Sequence, residues 1–212
     1  MENKKIIAAA LIKIGAVGFI HGEPITFKSG MRSPVYVDNR IFPFHPSEWQ
    51  IVIEGFANII QEKNIKFDII AGIETAGIPH SAALGFLLKK PSVFVRKKVK
   101  DHGTKSKIEG GSVKDQRILL IEDHVTAGGS SLAGVESLRE AGAIVTDCLS
   151  ITSYEFDESK EAFEKAKVRL HTLTSFSEIL AAAQEKKIIT TQLKTSVKEW
   201  LADPWQWGKD HK

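Results

Sequence analysis

The sequence predicts an α/β protein in which a parallel sheet is flanked by helices and preceded by a small N-terminal hood. Three observations lead there. From Phe67 onward, short apolar or β-branched runs alternate with stretches of helical period. Each strand candidate is a near-continuous apolar run, the pattern of a sheet covered on both faces. Residues 1–66 follow another logic, with two helical stretches separated by glycine-rich, turn-rich chain. We therefore divide the chain into an N-terminal helix and hood region (1–66) and a core with a C-terminal tail (67–212). With no internal repeat and no low-complexity linker, the two are expected to pack as one unit.

In chain order, a first amphipathic helix is expected over about residues 2 to 14. Gly15, Gly18 and Gly22 lead from it into the extended piece EPITFKSGMRSPVYVDNR, and a second helix runs from Pro46 to Glu62. The strand candidates are FDIIAGI, SVFVRKK, RILLIED, DCLSITSY and VRLHTL. Between and after them lie helices following Gly77-Ile78-Pro79, from Ser130 to Glu140 before Gly142, from Glu158 to Ala166, and from Ser175 to Glu185.

A chain of 212 residues is long enough to bury a sizeable core. No apolar run approaches the roughly 20 residues of a spanning helix, so no membrane is expected. Lys4 and Lys5 precede an apolar stretch, but Lys13, Gly15 and Gly18 interrupt it without a cleavage site, which favours a helix over a leader. The lone Cys148 cannot form an internal disulfide and fits a reducing cytoplasm. A net charge of +3 with interspersed signs gives no field for nucleic acid. The exception is local: Arg96 to Lys107 holds six Lys or Arg against one acid, Asp101.

The segment RILLIEDHVTAGGSS, Arg117 to Ser131, carries the most chemistry. An apolar strand that ends in two acids and turns through small residues into a helix puts its polar atoms at the carboxyl edge of the sheet. Backbone N–H groups of such a turn can surround a phosphate, and Thr126 and Ser130 add hydroxyls. Glu122 and Asp123 would repel that phosphate, so they suit sugar hydroxyls or a cation. A ribose bearing a terminal phosphate meets both demands. No Lys follows the glycines, which excludes a Walker loop.

This segment resembles the phosphoribosyl pyrophosphate (PRPP) signature of type I phosphoribosyltransferases. The resemblance implies that fold, with Glu122 and Asp123 on the ribose hydroxyls and the turn Thr126, Ala127, Gly128, Gly129 and Ser130 on the 5′-phosphate. His124 and Val125 fall within the same PRPP-binding string. In the basic segment VRKKVKDHGTKSKIEGG, Arg96, Lys97, Lys100 and His102 can then stabilise the departing pyrophosphate when a loop closes over it. RKKVKDHG followed by IEGG narrows the likeness to orotate phosphoribosyltransferases, in the Gram-positive-type branch. That implies catalytic roles for Arg96, Lys100 and His102 and a homodimer whose loop reaches the neighbouring site. It also implies Mg²⁺ held mainly through PRPP rather than by a protein metal site, and orotate as the base.

FKSGMRSPVYVDNR resembles the family's hood: Lys28 matches a lysine that approaches PRPP, and Tyr36 and Val37 match the wall for orotate. AGIETAGIPHSAALG offers a second strand-turn-helix whose amides suit pyrophosphate, although Gly72 and Gly77 more often only ease a turn. Better-known members carry a Tyr-Lys pair in that turn and an Arg after the fifth strand for the orotate carboxylate. Here the residues are Thr75-Ala76 and Tyr154-Glu155, so Arg40 or Arg32, with Thr126, is the expected orotate partner. His124 stands where the family usually has an apolar residue. The rival readings are a purine or uracil phosphoribosyltransferase and a PRPP-sensing regulator without catalysis. Trp200, Trp205 and Trp207 are expected to fold back onto the domain rather than recruit a partner.

Overall fold

The computed structural model describes residues 2–20, 22–27, 29–97 and 107–211. Helix α1 (Glu2–Lys13) leads into a hood of four short strands, β1 (Val17–Phe19), β2 (Ile25–Thr26), β3 (Arg32–Ser33) and β4 (Val35–Val37). β1 pairs antiparallel with β4, and β2 with β3. A 3₁₀ segment, Asn39–Phe44, then delivers the chain to α2 (Pro46–Glu62), with Pro46 at the first turn, where its missing N–H costs nothing.

The core follows as β5 (Ile69–Ile73), α3 (Gly77–Leu88), β6 (Ser92–Val95), β7 (Ile108–Glu109), β8 (Arg117–Val125), α4 (Gly129–Glu140), β9 (Ile144–Ser153), α5 (Asp157–Lys165) and β10 (Arg169–Thr172). The sheet order is β10-β9-β8-β5-β6-β7, parallel except for β7 against β6. Helices α6 (Phe176–Glu185), α7 (Thr191–Ala202) and α8 (Pro204–Asp210) close the chain.

Alternation along each strand divides the interior in two. Ile70, Leu119, Ile121, Leu149 and Ile151 face a core shared with α1, α2, the hood, α6 and α7. Ala71, Ile73, Ile118, Leu120, Val145 and Cys148 face α4 and α5 through Val135, Leu138 and Phe163. The first core joins Ile7 and Val35 from residues 1–66 to Leu119 and Trp200 from residues 67–212. Among the described residues no helix is long and apolar enough to cross a membrane.

Several sequence expectations need correction. The strand at Ser92 ends at Val95, although the Arg96 N–H still reaches the Lys107 carbonyl, and Ile108 and Glu109 return as an antiparallel edge strand. The end of the hood winds into a 3₁₀ turn, with Asp38 accepting the Arg40 N–H, instead of staying extended. The tail forms two helices that periodicity did not suggest. Thr190 caps α7 through the Leu193 N–H, and Asp203 caps α8 ahead of Pro204. Trp200 and Trp207 are buried, but Trp205 is 48% exposed.

Candidate active site

The chain leaves β5 through α3 toward β6 on one side, and leaves the adjacent β8 through α4 toward β9 on the other. Such a reversal opens a crevice above the carboxyl ends of the two strands. Gly72 lies opposite Ile121, so the turns after both strands share one edge of the sheet. Glycine makes that approach possible. A Cβ on Gly77 would sit 2.5 Å from the Ile121 carbonyl oxygen, and one on Gly72 would strike Ser81 and the Gly77 carbonyl. Neither residue has a positive φ, so both serve close packing rather than the turn freedom expected of them.

Both helices begin without a side-chain cap and without an acid in the first turn. The Gly77 N–H of α3, where Ile78 is bonded to the Thr75 carbonyl and Pro79 has no N–H, and the first N–H groups of α4 therefore remain available to an anion, and the helix dipoles favour it. Ahead of α4, Gly128 adopts φ +86°, a left-handed conformation that glycine accepts without strain, and a Cβ there would also strike Phe163. Thr126 and Ala127 are partly exposed in this turn, and Gly129 and Ser130 are exposed at the helix start.

Between the two turns stand Glu122 and Asp123. Ser131 Oγ donates to Glu122 Oε2 at 3.1 Å, and the Asp123 N–H reaches Glu122 Oε1 at 3.2 Å. Burial, then the neighbouring Asp123 charge, pushes the Glu122 carboxyl well up; burial likewise raises Asp123. Two adjacent carboxylates short of solvent are poised to accept hydrogen bonds from ligand hydroxyls.

The hood closes the crevice from above. Tyr36 alternates outward between buried Val35 and Val37 and is 40% exposed. Arg40 grips Asp38 and donates to the Tyr36 hydroxyl, and its charge also acts on Asp123. Arg32 is differently placed: its Nε is buried without a partner, and its Cβ lies beside Gly208 of α8. On the opposite flank, Arg96 pairs with Glu109 at 3.5 Å, and the Lys97 N–H donates to Glu74. Arg96, Lys97, Lys107, Ser130 and Ser137 line a cavity of about 260 Å³ beside α4.

The strand ends thus bring Glu122, Asp123, Thr126, Ala127, Gly128, Gly129 and Ser130 together, with Arg96 and Lys97 on one flank and Tyr36 and Arg40 on the other. Three of the expected residues, Val125, Val37 and His124, turn their side chains away from the crevice. Val125 and Val37 turn their side chains into the core, leaving only backbone for a ligand. The His124 imidazole is buried against Thr152 and Tyr154 rather than in the crevice. Lys28, Lys100 and His102 lie outside the described residues. Asn39, which pattern reading passed over inside DNR, links hood to sheet by donating to the Asp123 carbonyl at 2.7 Å. Its signal was an amide directly after the exposed-buried alternation of the hood strand.

A crevice at the switch point, with an acid pair between two helix starts, suits a ligand that carries both sugar hydroxyls and phosphate. The family model for the phosphoribosyl transferase domain matches residues 44–187. The orotate phosphoribosyltransferase of Listeria innocua is 41% identical over 209 residues, covering 99% of this chain and all of that protein. That of Coxiella burnetii is 38% identical, covering 98% and 99%. The crystal structure of the Aeropyrum pernix orotate phosphoribosyltransferase superposes with TM-score 0.72 at 27% identity, covering 87% of this chain and 99% of that one. UMP synthase of Leishmania donovani gives 0.81 at 26% identity; 94% of this chain matches 42% of that longer one. The chain belongs to the orotate phosphoribosyltransferases.

Proposed function

We propose that the chain transfers the phosphoribosyl group of PRPP to orotate, giving orotidine 5′-monophosphate and pyrophosphate in pyrimidine biosynthesis. Near-full-length likeness to orotate phosphoribosyltransferases supports the reaction. The observation that carries the site is the acid pair of buried Glu122 and half-buried Asp123 between the uncapped starts of α3 and α4.

In the reaction a ring nitrogen of orotate bonds to the anomeric carbon. The bond from that carbon to pyrophosphate breaks, and its electron pair leaves with the pyrophosphate. Positive charge grows on the ribose meanwhile, and Glu122 and Asp123 on the ribose hydroxyls hold the sugar in line. The α4 start takes the 5′-phosphate, the α3 start takes pyrophosphate oxygens, and the Tyr36–Arg40 face takes the base. Arg96 and Lys97, with Lys100, His102 and Lys28, supply positive charge to the leaving group.

Among the described residues no cluster of three His, Cys, Asp or Glu can hold a metal ion. The Mg²⁺ of the reaction would enter on PRPP oxygens and water, as a small hard cation prefers. When bound, it neutralises charge on the departing pyrophosphate. The reading also includes a cytoplasmic homodimer whose basic loop serves the neighbouring site, an arrangement natural across a two-fold interface. Mixing Lys100→Ala with Asp123→Asn chains should then restore part of the activity, and inert mixed dimers would remove the shared loop.

The deciding assay follows orotate absorbance with PRPP and Mg²⁺, with uracil, hypoxanthine and adenine in parallel. Orotate should be consumed and the others not. Consumption of another base with orotate inert would move the chain to a sister activity.

A further inference from the structure

Asn39 is fully buried at the start of the 3₁₀ segment and uses both of its amide hydrogens. One goes to the Asp123 carbonyl at 2.7 Å and the other to Thr152 Oγ1, on neighbouring β9, at 2.9 Å. Its Oδ1 has no partner, yet turning the amide over would set that oxygen against the Asp123 carbonyl. The orientation is therefore determined.

Thr152 is also fully buried. Its hydroxyl oxygen accepts from Asn39 and stands 2.8 Å from His124 Nδ1, its hydrogen-bond partner. Burial holds the ring pKa down to about 3, so it is neutral at working pH. Nε2 is buried without a partner, and the ring stands edge-on to Tyr154 with centroids 4.3 Å apart. An apolar residue at this position would leave no ring nitrogen unmet, so what the histidine adds is the hydrogen bond between Nδ1 and Thr152.

We propose that Asn39 and His124 are positioning residues for phosphoribosyl transfer. The relay Asn39–Thr152–His124 registers the hood on the strand that carries Glu122 and Asp123, and so sets Tyr36 and Arg40 over the acid pair. This role rests on the transfer reaction proposed above. Neither side chain touches substrate. The relay holds Asn39 in one rotamer, and misplacement of about 1 Å at a reacting centre can cost on the order of a hundredfold in rate.

The test compares His124→Leu, Thr152→Val and His124→Asn with the wild type, following kcat and KM for orotate, PRPP binding by titration, and thermal melting. Leu and Val keep volume but break the relay; Asn places an oxygen near the site of Nδ1. His124→Leu and Thr152→Val should each lower kcat/KM for orotate about tenfold with PRPP affinity within twofold. Their combination should be no worse than either alone, and His124→Asn should recover most of the loss. Unchanged kcat/KM in folded single variants, an additive double variant, or an Asn variant as poor as Leu would overturn the relay. Nitrogen-15 NMR of the wild type gives a reading independent of activity: His124 should show a neutral ring at neutral pH whose Nδ1 signal shifts in Thr152→Val, and an Nδ1 signal indifferent to that substitution overturns the relay. Wild-type protein inert toward orotate, with that shift still seen, would instead reject the reaction and keep the relay.

Discussion

Arg40 Nη2 donates to the Tyr36 hydroxyl at 2.9 Å while the same guanidinium holds both Asp38 oxygens, through Nε at 2.6 Å and Nη2 at 2.8 Å. A solvent-exposed arginine is thereby fixed in direction beside the hood's outward aromatic. Hydrogen bonding and charge from Asp38 raise its pKa further, so it stays cationic at any working pH.

This fixed cation is the candidate partner for the orotate carboxylate. A charge-assisted hydrogen bond is worth about 1.5–3 kcal/mol, so Arg40→Ala should raise orotate KM by roughly ten- to a hundredfold at saturating PRPP. Arg32→Ala should leave that KM within about twofold, because the Arg32 Nε is sealed in the protein and its stem packs under α8. Steady-state kinetics on both variants decides the matter. An Arg40→Ala enzyme with wild-type orotate KM removes Arg40 from base recognition.

The glycines of the crevice allow a sharper contrast. Gly77→Ala drives a Cβ to 2.5 Å from the Ile121 carbonyl oxygen, which belongs to the central strand and cannot swing aside. Gly134→Ala meets Ile73 Cδ1, the far end of a side chain that can turn. We expect Gly77→Ala to cost about 1–3 kcal/mol and to cut activity with it, and Gly134→Ala to cost less. Denaturant melts should rank the two variants in that order; the reverse ranking would contradict the packing role assigned to Gly77.

Much of this architecture was legible because β5, β8 and β9 are apolar runs punctuated by glycine and acids, and a doubly covered sheet leaves that trace directly. The strand-turn-helix from Glu122 to Ser130 was legible for the same reason: turn chemistry is local. His124 was not, because its partners Thr152 and Asn39 are 28 and 85 positions away in the chain. The tail was also missed, although Thr190 and the pair Asp203-Pro204 were cap signals open to reading.

That tail makes its own prediction. Trp200 is fully buried, donates to the Arg32 carbonyl at 2.8 Å, and packs edge-on against Tyr154 and Phe156. Trp200→Ala should cost about 3–5 kcal/mol and loosen the hood from beneath. Trp205, half in solvent, should change stability by no more than about 0.5 kcal/mol when replaced by Ala. Equal losses in chemical denaturation would show that the two faces of the tail are not distinguished as the packing requires.

Acid should weaken the protein through its buried histidines. Burial holds His80 down to about 4 and His124 down to about 3, against 6.5 in the open chain. Between pH 6.5 and about 4 the unfolded chain carries a proton on each ring that the folded chain refuses, so stability falls as pH falls, by about 1.4 kcal/mol per unit for each histidine. Glu122 and Asp123, raised by burial, act in the opposite sense, since the folded state binds their protons more tightly. Comparison with His124→Leu separates these opposing contributions, because the variant keeps the carboxylates and loses one ring. The free energy of unfolding of wild type relative to His124→Leu should drop by about 2 kcal/mol from pH 7.5 to pH 5. Denaturant titrations at the two pH values measure it, and parallel behaviour of the two proteins would mean that His124 is protonated in the folded state.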